Sequence, residues 1–134
     1  MDMLIHVLYV EDSERDAELV RARLAEGGIA NDVVRVVTHD DYICALEKDS
    51  FDLILADYTL PQFSGITALA IAHQKCPGTP FIFVSGTLEE EVANECFQHG
   101  ATDYVSKDHL EKLIPSVKQA LEKTKKQGPV NDEI

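Results

Sequence analysis

The chain has 134 residues, of which 45% are hydrophobic. It contains 12 Lys and Arg and 24 Asp and Glu, which give a formal net charge of −12. This length suits one domain with its own core, and the longest apolar runs fall far short of the about 20 residues that span a bilayer. The acidic balance argues against a free-standing binder of nucleic acid or of a membrane surface.

Short apolar runs alternate with longer segments of helical pattern along the chain. In chain order, the pattern predicts strand 4–10, helix 13–26, strand 32–37, helix 38–48, strand 51–56, helix 64–75, strand 81–84, helix 87–99, strand 102–106 and helix 108–125. Ser13 with Asp16 is typical of an N-cap and its N3 acid, and Thr38 and Thr87 suit the starts of the second and fourth helices. Pro115 indicates that the last helix proper begins near residue 114, after a loose first turn.

Neither a targeting segment nor a cysteine motif is evident in the sequence. No basic segment precedes the apolar N-terminal stretch, so we predict no signal peptide and a cytoplasmic location. Cys44, Cys76 and Cys96 are widely spaced and form no CxxC pair. This spacing argues against a zinc or thioredoxin-type site. The apolar, helix-like context of each cysteine favours small core residues.

Five βα units follow one another without repeats or an internal linker, so we predict one domain at residues 1–126 and a flexible C-terminal tail at 127–134. Alternating units imply an α/β fold, a (βα)5 doubly wound, five-stranded parallel sheet with right-handed crossovers and helices on both faces. Ligands of such sheets bind at the carboxyl ends of the strands, where the strand order switches. The residues that follow the strands are therefore the functional candidates.

Charged and hydroxyl side chains stand at four of the predicted strand ends. Glu11 and Asp12 follow the first strand, Asp57 the third, Ser85 the fourth and Lys107 the fifth. If the sheet brings them together, each close pair of carboxylates costs about 4 kcal/mol at a separation of about 4 Å and an effective dielectric of about 20, so a proton or a cation must bind. Such oxygen ligands suit Mg²⁺, and a carboxylate can be the nucleophile of phosphoryl transfer. Lysine and serine would then surround the phosphoryl oxygens.

Four segments resemble, in order and spacing, the receiver domain of two-component response regulators: VLYVEDSERD, LILADYTLPQFSG, FIFVSGT and GATDYVSKD. The resemblance covers about residues 5–125, and the intervals of 45 residues from Asp12 to Asp57, 28 from Asp57 to Ser85 and 22 from Ser85 to Lys107 fit the family. It implies a flavodoxin-like strand order, 2-1-3-4-5. It also implies a phosphorylation-controlled phosphorelay protein that is not an enzyme.

The resemblance assigns a role to each strand-end residue. It implies that Asp57 is the phosphoacceptor and that Ser85 and Lys107 bind the phosphoryl group. Tyr104 matches the aromatic switch residue, whose ring turns inward as the hydroxyl moves. The implied ligands of Mg²⁺ are Glu11, Asp12, Asp57 and the backbone carbonyl of Thr59.

Three positions bear on how this chain differs from its family. Thr59 and Thr87 border the path of the hydrolytic water in the family, and neither carries a carboxylate or amide, so slow to moderate self-dephosphorylation is expected. Asp108 replaces the proline that commonly follows the lysine, often in a cis peptide. Because a non-proline cis bond costs about 2.5–4 kcal/mol, we expect a trans bond here. The replacement makes the face of the fourth helix, fifth strand and last helix less predictable.

The implied phosphoryl donor is a histidine kinase or a histidine phosphotransfer domain. The other implied partner is an unknown downstream protein that contacts the face of the fourth helix, fifth strand and last helix. No direct contact with nucleic acid or a membrane is expected, and the chain is expected to be a monomer or a weak homodimer. The sequence leaves open whether this receiver is free-standing or cut from a larger protein such as a hybrid sensor kinase.

Three other functions fit the sequence less well. An aspartyl-nucleophile phosphatase would carry a second acid where Thr59 stands. A flavodoxin-like cofactor binder would need a phosphate-cradling loop after the first strand, where the segment VEDSERD is acidic. A degenerate receiver that only binds partners would not need the intact strand-end set.

Overall fold

The computed structural model describes residues 4–61, 63–86 and 89–130. Strands and helices alternate along these residues. Their bounds are β1 Ile5–Val10, α1 Glu14–Glu26, β2 Asn31–Val36, α2 His39–Lys48, β3 Leu53–Ala56, α3 Gly65–Lys75, β4 Phe81–Ser85, α4 Glu90–Gln98, β5 Asp103–Ser106, a 3₁₀ segment Lys107–Lys112 and α5 Leu113–Val130. The alternation is the one that the sequence pattern predicts.

All five strands pair in parallel in a single sheet of order β2-β1-β3-β4-β5. The predicted fold class and strand order are thus confirmed. The order reverses at β1, which lies between β2 and β3. The carboxyl ends of β1 and β3 are therefore neighbours at the switch point, where parallel sheets bind their ligands.

Two hydrophobic clusters cover the two faces of the sheet, because alternate residues of each strand point to opposite sides. One cluster joins Val7, Leu55 and Ile82 of the strands to apolar residues of α1 and α5. The other joins Leu8, Ile54 and Phe83 to residues of α2, α3 and α4. Burial on both faces explains why the inner strands read as continuous apolar runs in the sequence.

Side-chain caps fix the starts of three helices. Ser13 accepts a hydrogen bond from the Asp16 amide at 3.2 Å, and Thr38 accepts one from the Asp41 amide at 3.0 Å, as predicted. Ser64 caps α3 in the same way. The fourth helix differs from the prediction, because α4 has Glu89 as its N-cap, without a side-chain capping bond. Thr87, which we predicted to open this helix, lies outside the described residues.

The last helix has an irregular entry. A 3₁₀ segment, kinked at His109 (φ −133°, ψ 53°), precedes the start of α5 at Leu113. Pro115 is thus in the first turn, where a missing amide hydrogen costs no helical bond, and the predicted loose start is confirmed. The helix continues to Val130, beyond the end predicted at residue 125.

The cysteines occupy three different environments. Cys96 is buried and Cys76 partly buried, whereas Cys44 is exposed on α2. The prediction of a core position is wrong for Cys44, because its place on the helix faces solvent. Among the described residues, no helix is both long and apolar enough to cross a membrane.

Candidate functional site

Parallel pairing aligns the predicted site residues at one edge of the sheet. Val10 pairs with Ala56, so the acids that follow these two residues leave neighbouring strand ends together. The ladder continues past the strands, since the Glu11 amide donates to the Val36 carbonyl at 3.0 Å and the Asp57 amide to the Val10 carbonyl at 3.1 Å. Backbone hydrogen bonds therefore hold both carboxylate-bearing residues in place.

Three of the predicted metal ligands form a cluster at this edge. Glu11, Asp12 and Asp57 each offer a carboxylate oxygen, and these oxygens lie within 4.8 Å of one another. Glu11 and Asp57 are buried, while Asp12 is exposed. Three carboxylate oxygens this close together, one of them on an exposed residue, suit Mg²⁺, which binds through a few carboxylates and keeps several of its water ligands.

Glu11 is held by hydrogen bonds from its own segment and from β2. One carboxylate oxygen accepts a hydrogen bond from the Tyr9 hydroxyl at 3.1 Å and the other accepts one from the Ser13 amide at 3.1 Å. The Arg35 guanidinium donates to the Glu11 carbonyl oxygen at 3.0 Å. The position of this buried carboxylate is therefore determined on several sides before any metal binds.

Lys107 enters the cluster from the end of β5 and contacts three carboxylates. Its Nζ lies 2.8 Å from Glu11 Oε1, 2.7 Å from Asp16 Oδ2 and 3.0 Å from Asp57 Oδ2. The ammonium has three N–H donors, and three acids accept them. The lysine side chain is only 19% exposed, so these contacts replace its hydration.

The pKa values of the central pair reflect this arrangement. Burial raises the pKa of Glu11 above its ordinary value, while hydrogen bonds from Lys107 and from the Ser13 amide oppose the shift. Burial alone would lower the pKa of Lys107, but its hydrogen bonds to Asp16, Glu11 and Asp57 outweigh burial and raise it. The lysine is therefore a permanent cation in this site.

Ser85 and Tyr104 lie on the neighbouring strands β4 and β5. Ser85 is buried and pairs in register with Ser106, directly before Lys107. Burial raises the pKa of Tyr104, and a hydrogen bond with Ser85 opposes that shift. The Tyr104 ring lies 6.3 Å from that of Phe83 between ring centroids. The hydroxyl and the aromatic residue singled out in the sequence are thus in direct contact.

Hydrogen bonds hold the residues that directly follow Asp57. The Thr59 amide donates to Asp57 Oδ1 at 3.3 Å, and the Gly65 amide donates to the Tyr58 carbonyl at 3.0 Å. The Thr59 side chain is exposed. The roles of its carbonyl as a metal ligand and of its side chain in dephosphorylation stay predictions, and Thr87 lies outside the described residues.

Asp108 makes a contact that the proline common in the family could not make. Its amide donates to the Ser106 hydroxyl oxygen at 3.1 Å, and this bond caps the 3₁₀ segment. No peptide bond among the described residues is cis, as expected for the Lys107–Asp108 bond. The residue after the lysine thus fixes the loop by a hydrogen bond.

Two residues of the site were not predicted from the sequence. In the sequence, Tyr9 lies within the predicted strand 4–10, and Asp16 is the N3 acid of the first predicted helix. The available signal for Asp16 is its position four residues after Asp12, at the start of a helix that follows the acidic pair. Its contact with Lys107 joins residues 91 positions apart, which no local pattern reveals.

Comparison with known proteins gave sequence matches over most of the chain. The family model described as response regulator receiver domain matches residues 7–127. The regulatory protein LuxO of Vibrio cholerae serotype O1 is 32% identical over 118 residues, which make up 87% of this chain and 26% of that protein. The transcription factor SKN7 of Candida albicans is 32% identical over 103 residues, 76% of this chain and 18% of that protein. The chain thus spans about a quarter or less of these relatives.

Solved structures match the fold over nearly the whole chain. The signal receiver domain of a putative Luxo repressor protein from Vibrio parahaemolyticus has a TM-score of 0.83 and 29% identity, covering 96% of this chain and 98% of that one. A CheY-like response regulator receiver domain protein from Methanospirillum hungatei JF-1 has a TM-score of 0.79 and 25% identity, and the match covers 94% of this chain and 100% of that one.

Proposed function

Because this chain belongs to the response regulator receiver domain family, we propose that it accepts a phosphoryl group on Asp57 from a histidine kinase or a histidine phosphotransfer domain. The added charge then switches a surface that binds a downstream protein. The observation that carries this proposal is the position of Asp57. Its carboxylate lies 3.0 Å from the lysine ammonium and offers an oxygen within 4.8 Å of oxygens of two further carboxylates.

The proposed transfer uses the residues of this edge as follows. An Asp57 carboxylate oxygen attacks phosphorus, the bond from phosphorus to the donor nitrogen or oxygen breaks, and an aspartyl phosphate forms while the leaving group takes up a proton from solvent or from the donor protein. The Lys107 ammonium donates to a phosphoryl oxygen and balances its charge. The carboxylates of Glu11, Asp12 and Asp57 and the Thr59 carbonyl would hold Mg²⁺. The bound ion would further neutralise the charge of the phosphoryl oxygens.

Ser85 and Tyr104 carry the proposed switch. A phosphoryl oxygen on Asp57 competes for the Ser85 hydroxyl, which now contacts Tyr104, and so releases the ring to turn. Tyr104 lies on β5 next to α4, where Phe97 is a large hydrophobic residue with 45% exposure. The downstream partner is proposed to bind the face formed by α4, β5 and α5.

A switch fits the site better than a phosphatase. Turnover of a phosphomonoester needs a group that protonates the leaving oxygen, and the position two residues after Asp57 holds the exposed Thr59 instead of an acid. Slow to moderate self-dephosphorylation remains the prediction for this chain. Receiver domains are signalling switches, and we propose no further enzymatic activity.

The test is intact-mass analysis after incubation with acetyl phosphate, with and without Mg²⁺. Wild type should gain one phosphoryl group only with Mg²⁺, and Asp57→Asn should gain none. Asp52→Asn is the matched control, because Asp52 precedes the opposite end of the same strand and is exposed; it should gain the group as wild type does. Labelling of Asp57→Asn at the wild-type rate would disprove the assignment.

A further inference from the structure

Asp16 contacts Lys107 although it lies outside the group of acids that could hold a metal. It is in the first turn of α1, where its amide is capped by Ser13. Its carboxylate lies 2.7 Å from Lys107 Nζ, as close as the carboxylates of Glu11 at 2.8 Å and Asp57 at 3.0 Å. The helix start therefore delivers a fourth carboxylate to the site.

The three acids that contact the ammonium differ in whether a bound cation would compensate their charge. A lysine has three N–H donors, and a phosphoryl oxygen on Asp57 needs one of them. A divalent cation in the cluster would compensate the charges of Glu11 and Asp57, which are in that cluster. Asp16 is outside this cluster, so a cation there would leave the ion pair between Asp16 and Lys107 in place.

We propose that Asp16 is a positioning residue that competes with the phosphoryl group for Lys107 and thereby slows phosphorylation of Asp57. The inference rests on the proposed phosphoacceptor role of Asp57. Charge repulsion adds to this competition. The Asp16 and Asp57 oxygens both lie within 3.0 Å of the same nitrogen and are therefore at most about 6 Å apart. At this distance Asp16 repels an anionic phosphoryl donor that approaches Asp57.

The test compares wild type with Asp16→Asn at saturating Mg²⁺. The amide keeps the shape of the side chain and removes its charge. The variant should be labelled by acetyl phosphate roughly two- to fivefold faster, and should bind beryllofluoride, a mimic of the phosphoryl group, roughly two- to fivefold more tightly, the range for one partly exposed ionic contact. Its affinity for Mg²⁺ should not rise, because removal of a negative charge does not favour a cation.

Glu14→Gln is the matched control. Glu14 is also an acid of the first turn of α1, but it is exposed, and its removal should change neither labelling nor beryllofluoride binding. An equal gain in both variants would show a general charge effect and overturn the proposal, as would an unchanged Asp16→Asn. A higher Mg²⁺ affinity in Asp16→Asn would also overturn it.

The proposed function and this inference fail in different ways. A wild-type chain that takes no label, or an Asp57→Asn variant that does, overturns both. A wild-type chain labelled only at Asp57, together with an Asp16→Asn variant of unchanged rate and beryllofluoride affinity, overturns the role of Asp16 alone. Urea unfolding of all variants reports whether the fold is retained.

Discussion

Lys107 is the residue on which the charge balance of the site depends. It is 19% exposed and lies within 3.0 Å of three carboxylates, of which Glu11 is fully buried. A buried acid is costly unless a cation or hydrogen bonds compensate it. The lysine therefore stabilises the folded chain in the absence of metal, in addition to its proposed part in phosphoryl transfer.

Lys107→Met should destabilise the chain most strongly without Mg²⁺. Glu11, Asp16 and Asp57 would then lose the ammonium that contacts all three. We expect the free energy of unfolding to fall by about 1–3 kcal/mol, since removal of one partner leaves buried acceptors uncompensated. Mg²⁺ should restore part of the loss, and should raise the melting temperature of the variant more than that of wild type.

Urea unfolding at pH 7 with and without Mg²⁺ measures this effect. Lys118→Met is the control, because Lys118 is exposed on α5 and its loss should change the stability by less than about 0.5 kcal/mol. Equal stabilities of Lys107→Met and wild type without Mg²⁺ would contradict the assigned role in charge compensation.

At the scale of the elements, the start of α3 determines where Asp57 can lie. A Cβ atom on Gly65 would lie 2.5 Å from Phe83 Cε1, 2.6 Å from the Asp57 carbonyl oxygen and 2.9 Å from Tyr58 Cα. Two of these three neighbours are backbone atoms, which cannot move aside as a flexible side chain can. The helix therefore packs directly against the backbone of the proposed phosphoacceptor.

Gly65→Ala should displace the loop after β3. We expect a loss of about 1–3 kcal/mol in the free energy of unfolding, the usual cost of an added methyl group in a packed site, together with slower labelling by acetyl phosphate. Chemical denaturation and intact-mass kinetics measure the two effects. Gly78→Ala is the matched control, because its Cβ would have no neighbour within 4 Å; a similar loss in that variant would refute the steric explanation.

The bond between Tyr58 and Glu95 links the residue after Asp57 to α4. The Tyr58 hydroxyl donates to Glu95 Oε1 at 2.7 Å, and this hydrogen bond raises the pKa of Tyr58 to about 12. The Tyr58 ring also packs edge-on against Phe83 at 6.0 Å between centroids. Since α4 starts without a side-chain cap, this contact contributes to holding the helix.

Tyr58→Phe should loosen α4 without affecting the rest of the fold. It removes the hydrogen bond and keeps the ring, so backbone amides of α4 should exchange with solvent roughly two- to tenfold faster, as expected for a bond worth about 0.5–1.5 kcal/mol. Hydrogen exchange followed by mass spectrometry measures this, with peptides of α2 as the internal reference. Unchanged exchange in α4, or equal acceleration in α2, would count against the link.

At the scale of the whole molecule, the fold follows from the sequence more directly than the site does. Strands buried on both faces read as apolar runs, and the parallel sheet places their ends at one edge, so Glu11, Asp57 and Lys107 could be predicted together. The contact of Asp16 with Lys107 could not, because it depends on how α1 and β5 pack across 91 residues. The exposure of Cys44 likewise depends on which face of α2 the sheet covers.

The stability of the whole chain should fall as the pH rises above about 9. Burial raises the pKa of Cys96 from 9.0 to about 11, and burial also raises that of Tyr42 above 10.0. Both groups therefore keep their protons in the folded chain at pH values where the unfolded chain loses them. Unfolding then releases protons, and its free energy falls with rising pH by up to about 1.4 kcal/mol per pH unit for each group.

Urea unfolding at pH 8, 9, 10 and 11 tests this linkage. At pH 8 both groups are almost fully protonated in the folded and the unfolded chain and contribute little slope, so the decline should begin near pH 9 and steepen towards pH 10. Cys96→Ala should be less stable at pH 8, since it leaves a small cavity, but its decline between pH 9 and 11 should be shallower. A decline of equal steepness in both proteins would assign the alkaline sensitivity to other groups, because the variant lacks the thiol whose ionisation burial opposes.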